Sequence, residues 1–186
     1  MQISRGKFRG LKLNTLSGLN TRPTTQKVKE AIFNMIAFDV ADSIVLDMFS
    51  GSGALGIECL SMDAKEVFFN DKSKEALKVI NSNLNKLKIN NYQTFNLEYN
   101  KLINLLNLNN NSFDLIILDP PYHLKIIDEL IKLIIDNNLL NKNGIIVAEL
   151  SFEENINDSY DMIYLIKDKK YGKTRIAIYK YDMKEE

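Results

Sequence analysis

Four consecutive apolar residues, Leu115-Ile116-Ile117-Leu118, stand in the chain without alternation. A strand of that composition must be covered on both faces, as in a parallel sheet flanked by helices. From residue 44 onward, short β-rich runs take turns with amphipathic stretches. The runs fall at 44–48, 66–70, 93–97, 113–118 and 145–150. Between them the spacing predicts a helix opening near Ala54 and a longer one over 73–87, where Ala76, Leu77, Ile80, Leu84 and Leu87 share a face. A short helix is expected over 100–106, and Ile126, Ile127, Leu130, Ile131, Ile134 and Ile135 mark another. This order predicts a doubly wound α/β sheet.

The two ends depart from strict alternation. Residues 2–13 read as a basic β-hairpin around Gly6 and Gly10, followed by a helix with Thr24 or Thr25 as its N-cap, running through Val28, Ala31, Ile32, Met35 and Ile36. Strands at 162–167 and 175–181, joined by Lys169-Lys170-Tyr171-Gly172-Lys173, would close the sheet with an antiparallel pair. With 186 residues and neither repeat nor linker, one domain is expected, 1–40 as a basic extension and 41–186 as the core.

Composition removes several function classes. A single cysteine excludes an internal disulfide and, with a single histidine, argues against a catalytic zinc site, so no metal is expected. Cys59 reads as a small hydrophobe on a helix and His123 as a solvated loop residue. No apolar run reaches membrane length and the amino terminus carries no secretory stretch, so a soluble, cytoplasmic monomer without membrane contact is expected. The formal net charge of zero hides an asymmetry. Residues 1–30 hold seven basic residues against the one acid Glu30, and residues 167–175 hold five against Asp168. Two basic ends around a neutral body suit contact with phosphates.

The segment Val45-Leu46-Asp47-Met48-Phe49-Ser50-Gly51-Ser52-Gly53-Ala54-Leu55-Gly56 puts a glycine-rich loop where the first strand gives way to a helix. Gly51, Gly53 and Gly56 match the spacing with which nucleotides approach a helix amino terminus. Asp71, twenty residues beyond Gly51, follows the second strand and can accept hydrogen bonds from both ribose hydroxyls. Asp47 decides which nucleoside fits. Its carboxylate would repel a pyrophosphate, whereas an ammonium and a sulfonium reverse the sign. The expected cofactor is therefore S-adenosylmethionine, held by Asp47, Phe49, Ser50, Gly51, Gly53 and Asp71.

The fourth strand ends in Asp119-Pro120-Pro121-Tyr122, at the carboxyl edge where doubly wound sheets hold ligands. The exocyclic amine of a base is a poor nucleophile because its lone pair is delocalised into the ring. Two acceptors aimed at its N–H groups, the Asp119 carboxylate and the Pro120 carbonyl, would free that lone pair for in-line attack on a methyl. Pro120 and Pro121 stiffen the loop, and Tyr122 offers a ring on which the base can stack. A base that begins in a duplex must first be flipped out.

Together, residues 47–53 and 119–122 resemble class I methyltransferases that modify amino groups. In many of these an acid at the position of Glu98 receives the adenine amino group, and the resemblance implies that role here. The flanks narrow the choice. Ile3-Ser4-Arg5-Gly6-Lys7-Phe8-Arg9-Gly10-Leu11-Lys12-Leu13, the stretch Arg22-Pro23-Thr24-Thr25-Gln26-Lys27-Val28-Lys29-Glu30-Ala31-Ile32-Phe33-Asn34, and Tyr171-Gly172-Lys173-Thr174-Arg175 resemble the RsmD family of 16S ribosomal RNA guanine-N2 methyltransferases. The resemblance covers essentially the whole chain. It implies a Rossmann-like, seven-stranded, mostly parallel sheet and transfer of one methyl to a specific guanine N2 of 16S rRNA in the 30S subunit or its precursor. It further implies that Arg5, Lys7 and Arg9 grip RNA phosphates and that Arg22 lies near the active site. Lys29 stands where many relatives carry arginine, and Ser50 where alanine is frequent. The catalytic motif serves guanine N2 and adenine N6 alike. An N6-adenine DNA methyltransferase and a noncatalytic RNA-binding assembly factor are thus the alternatives, and an NAD(P) enzyme is disfavoured by Asp47.

Overall fold

The threonine hydroxyl of Thr25 accepts the Val28 N–H at 3.3 Å and opens helix α1 (Gln26–Met35). From there the chain alternates through β1 (Ile44–Asp47), α2 (Ala54–Ser61), β2 (Glu66–Asn70), α3 (Lys74–Leu87), β3 (Tyr92–Phe95), α4 (Tyr99–Leu108), β4 (Phe113–Leu118) and α5 (Ile127–Asp136). It ends in β5 (Leu140–Ser151), β6 (Ser159–Tyr160), β7 (Ile163–Tyr171) and β8 (Thr174–Tyr181). The computed structural model describes residues 1–16, 25–121, 124–161 and 163–181. Among these residues one sheet forms, in the order β3-β2-β1-β4-β5-β8-β7-β6. The first five strands of that order run parallel, and β8, β7 and β6 add on antiparallel.

Successive residues of the central strands point to opposite faces, and the two faces bury separate cores. Val45, Val67, Phe69, Leu115, Ile117, Ile145 and Val147 pack with α1, α2 and α3. Leu46, Phe68, Ile116, Leu118, Ile146 and Ala148 pack with α4 and α5. This is the two-sided cover that the apolar run 115–118 requires. Gly56 lets α2 settle close to the sheet, since a β-carbon there would run into the Phe69 ring. No helix of the described residues is long and apolar enough to cross a membrane.

Three expectations change in detail. The sheet has an eighth strand, the two-residue β6 at its edge. The third strand stops at Phe95 instead of residue 97, because Asn70 takes over the Leu97 backbone: its Oδ1 accepts the Leu97 N–H and its Nδ2 donates to the Leu97 carbonyl, at 3.2 and 3.1 Å. The amino-terminal hairpin reduces to one bridge, Gln2 opposite Lys12. Its interior is bound elsewhere. Ser4 and Arg5 donate their N–H groups to Glu58 Oε1 at 2.8 and 2.7 Å, and Lys7 donates its own to the Ser61 carbonyl at 2.8 Å. Gly6 lies so close to the Ser61 carbonyl that a β-carbon would collide with it.

Glu58 and Lys29 anchor this docking. Both side chains are fully buried, and Lys29 Nζ pairs with Glu58 Oε2 while donating to Ser4 Oγ at 2.8 Å. Removing one partner of such a pair strands the other charge, at a cost of about 3–5 kcal/mol. Lys7 and Asp63, at 3.0 Å, pair with 49% and 72% of their side chains exposed, where the gain is below about 1 kcal/mol. Urea denaturation is therefore expected to show Lys29→Met losing about 3–5 kcal/mol and Lys7→Ala less than about 1.

Candidate functional site

The strand order reverses at β1 and β4, which leave the sheet with helices on opposite faces, so a crevice opens beyond their carboxyl ends. Asp47, the last residue of β1, lies level with Ile117 of β4 and Phe69 of β2. Asp119 and Asp71 each come two residues later on the flanking strands, about 7 Å further along. The crevice thus has one acid at its floor and one on either side.

Asp47 is 1% exposed, and its Oδ2 accepts the Gly56 N–H at 3.0 Å in the first turn of α2. Burial pushes its carboxyl up to about 7 from an ordinary 3.8; the negative charge of Asp71 adds to the rise, while the Gly56 and Ser50 hydrogen bonds oppose it. The site is therefore short of positive charge. A cation placed there would restore the ionised form.

The loop above is held by side chains and backbone together. Ser50 Oγ donates to the Asp47 carbonyl at 2.7 Å and accepts the Asn70 N–H at 3.1 Å, while Ser50 N–H donates to the Asn70 carbonyl at 2.9 Å. Asp71 Oδ2 accepts the Gly51 N–H at 2.9 Å and Oδ1 the Ser73 N–H at 2.8 Å. Each oxygen has a second lone pair with which to meet a ribose hydroxyl. Gly53 starts α2, Glu98 is the exposed N-cap of α4, and Phe49 sits half-buried with its ring 6.2 Å from that of Tyr99. At the end of β4, Asp119 is half-buried, Pro120 buried and Pro121 exposed, and the Pro121 carbonyl accepts the Leu124 N–H at 3.0 Å.

The edge of the sheet thus gathers Asp47, Phe49, Ser50, Gly51, Gly53, Asp71, Glu98, Asp119, Pro120 and Pro121. Arg5, Lys7 and Arg9 are not brought there. They dock with the far end of α2, about 12 Å down that helix from the glycine loop, where Arg5 Nη2 donates to Asn34 and Lys7 pairs with Asp63. Arg22, Tyr122 and His123 lie outside the described residues.

Two residues escaped notice in the sequence. Buried Asn70 ties the ends of three strands together, donating from Nδ2 to the Met48 and Leu97 carbonyls at 3.1 Å each. Its signal was its place beside Asp71 at the end of an apolar strand. Tyr99 donates its hydroxyl to Glu129 at 3.1 Å and links α4 to α5 beside the crevice.

This sheet order, with a glycine loop after β1 and Asp-Pro-Pro at the end of β4, defines the Rossmann-like fold of the class I methyltransferases. Within that class the chain belongs to the RsmD family: the family model described as Conserved hypothetical protein 95 matches residues 1–180. YlbH of Bacillus subtilis strain 168 is 35% identical over 181 residues, 97% of this chain and 98% of that protein. The Ribosomal RNA small subunit methyltransferase D of Haemophilus influenzae is 37% identical over 150 residues, 80% of this chain and 78% of its own. Among solved structures, yhhF from Escherichia coli has a TM-score of 0.85 at 29% identity, covering 97% of both chains.

The raised carboxyl of Asp47 makes a prediction for the ligand-free protein. Its unfolded counterpart ionises near 3.9, so between that pH and about 7 the folded state holds the extra proton and stability falls as pH rises. Thermal unfolding at pH 5 and pH 8 is expected to show a drop in midpoint that is smaller in Asp47→Asn than in the unaltered chain.

Proposed function

We propose that this chain transfers the methyl group of S-adenosylmethionine to the exocyclic N2 of a guanine in 16S rRNA, within the 30S subunit or its precursor. The observation that carries this reading is the juxtaposition of a buried carboxylate under a glycine loop with an Asp-Pro-Pro turn on the neighbouring strand. The relative named as a small-subunit rRNA methyltransferase supports the choice of rRNA.

The described residues fit the cofactor by the chemistry of their donors and acceptors. Asp47 supplies negative charge beneath the loop for the methionine ammonium, Asp71 accepts from the ribose hydroxyls, and Glu98 accepts from the adenine amino group. Phe49, Ser50, Gly51 and Gly53 form the walls. When bound, S-adenosylmethionine supplies an electrophilic methyl on a sulfonium. Asp119 and the Pro120 carbonyl then orient the guanine amine by accepting its two N–H groups, Pro121 keeps the turn rigid, and Tyr122 stacks the base. Arg5, Lys7 and Arg9 meet phosphates of an RNA long enough to pass the far end of α2, and Arg22 meets cofactor or RNA near the site. The whole chain acts as one cytoplasmic, monomeric domain with no metal, residues 1–40 being the basic extension of the core.

Labelled S-adenosylmethionine, incubated separately with 30S subunits lacking the modification, with naked 16S rRNA and with duplex DNA, tests the proposal. The expected product is N2-methylguanosine from subunits or rRNA. Asp119→Ala is expected to slow transfer by about 10²–10³-fold, by analogy with removal of one positioned polar partner in other active sites. N6-methyladenine in DNA, or full activity in Asp119→Ala, would contradict the assignment.

A further inference from the structure

The carboxyl end of β5 lies at the same edge of the sheet as Asp119, because β5 runs parallel to β4 with Ala148 level with Leu118. There β8 turns back antiparallel, Thr174 opposite Ser151, so the β7–β8 turn also projects from the reactive edge. Phe152 follows directly and donates its N–H to the Lys173 carbonyl at 3.1 Å. Phe152 is 48% exposed, and Lys170 Nζ rests 3.0 Å from its ring centroid.

This corner is tied to the start of α5, the helix that follows the catalytic motif. Glu154 Oε1 accepts the Ile127 N–H at 3.1 Å, and the Glu154 carbonyl accepts from Arg175 Nη1 at 3.2 Å. Arg175 in turn holds Asp168 through two hydrogen bonds, at 2.8 and 2.7 Å. Asp168, the one acid of residues 167–175, is thereby neutralised, and the exposed Glu153 follows Phe152 in the chain. Among the described residues no salt bridge engages Lys169, Lys170 or Lys173, and all three are exposed.

A lone exposed phenylalanine would mean little. A phenylalanine under one ammonium, its backbone bonded to that of a second exposed lysine, at the edge where the target base must arrive, has the composition of a single-strand nucleic-acid platform: an aromatic face for a base and cations for its phosphates. We propose that Phe152, with Lys170 and Lys173, stacks and holds a nucleotide of the rRNA next to the target guanine. Lys170 covers the ring in the free protein. On RNA binding its flexible stem swings the ammonium to a phosphate, and a base takes its place on the ring. The inference rests on the rRNA reading above.

The chain contains no tryptophan, so Phe152→Trp introduces a single reporter at the platform. Titration with a single-stranded 16S rRNA fragment is expected to quench that fluorescence. Phe152→Ala is expected to weaken RNA binding by about fivefold to a hundredfold without changing S-adenosylmethionine affinity. Lys170→Ala and Lys173→Ala should each lower the salt dependence of log K by about 0.7. If the unaltered chain methylates rRNA while Phe152→Ala keeps its RNA affinity and the Phe152→Trp signal does not move, the platform is overturned and the rRNA reading stands. An unaltered chain that neither binds nor methylates rRNA overturns both.

Discussion

A carboxyl group at the end of β1, shut away from water and held by the first turn of α2, sets the terms for everything above it. Asp47 ties strand to helix through the Gly56 N–H, and the intervening glycine loop follows the path this contact leaves open. The arrangement is costly in the free protein, which is why the carboxyl is pushed up to about 7. Such a cost is tolerable where a ligand of opposite charge returns it on binding. In the proposed function that ligand is the ammonium end of the cofactor, so the same buried group that strains the free fold also selects its partner.

The sheet divides the remaining work between its two edges. At the carboxyl edge, Asn70 fastens the ends of β1, β2 and β3 to each other, which keeps Asp71 and the glycine loop in register. At the opposite end of α2, the pair Lys29 and Glu58 fastens the amino-terminal segment to the core. The two are connected. Asn83 of α3 accepts the Asn14 N–H at 2.8 Å and donates to the Asn14 and Ser52 carbonyls at 3.0 and 3.2 Å, so the segment that starts at the buried ion pair climbs back to the glycine loop.

Much of this was legible in the sequence, and the reasons are physical. Unbroken apolar runs such as 115–118 demand two covered faces, and a glycine loop between a strand and a helix has few places to go. Asp119-Pro120-Pro121 follows a buried strand, so its position at the carboxyl edge followed once the sheet was parallel. Burial of polar groups was not legible. Lys29 read as one more cation of a basic end, and Glu58 drew no attention, because nothing in a sequence marks which charges will meet inside. The hairpin at 2–13 holds only in part for the same reason: Ile3 and Leu13 still donate across it to Leu11 and Met1, while the backbone of Ser4, Arg5 and Lys7 is drawn onto α2. Asn70, likewise, shortened β3 through side-chain bonds that no periodicity reveals.

Proton release on cofactor binding tests most directly whether the charge beneath the loop is what the ligand meets. Calorimetric titration with S-adenosylmethionine at pH 6, in two buffers of different ionisation enthalpy, counts the protons exchanged. With the Asp47 carboxyl near 7 in the free protein, most molecules begin protonated at that pH. The account predicts release of close to one proton per cofactor bound, and its loss, together with most of the affinity, in Asp47→Asn. Binding with no proton exchanged, and equally tight in Asp47→Asn, would contradict it.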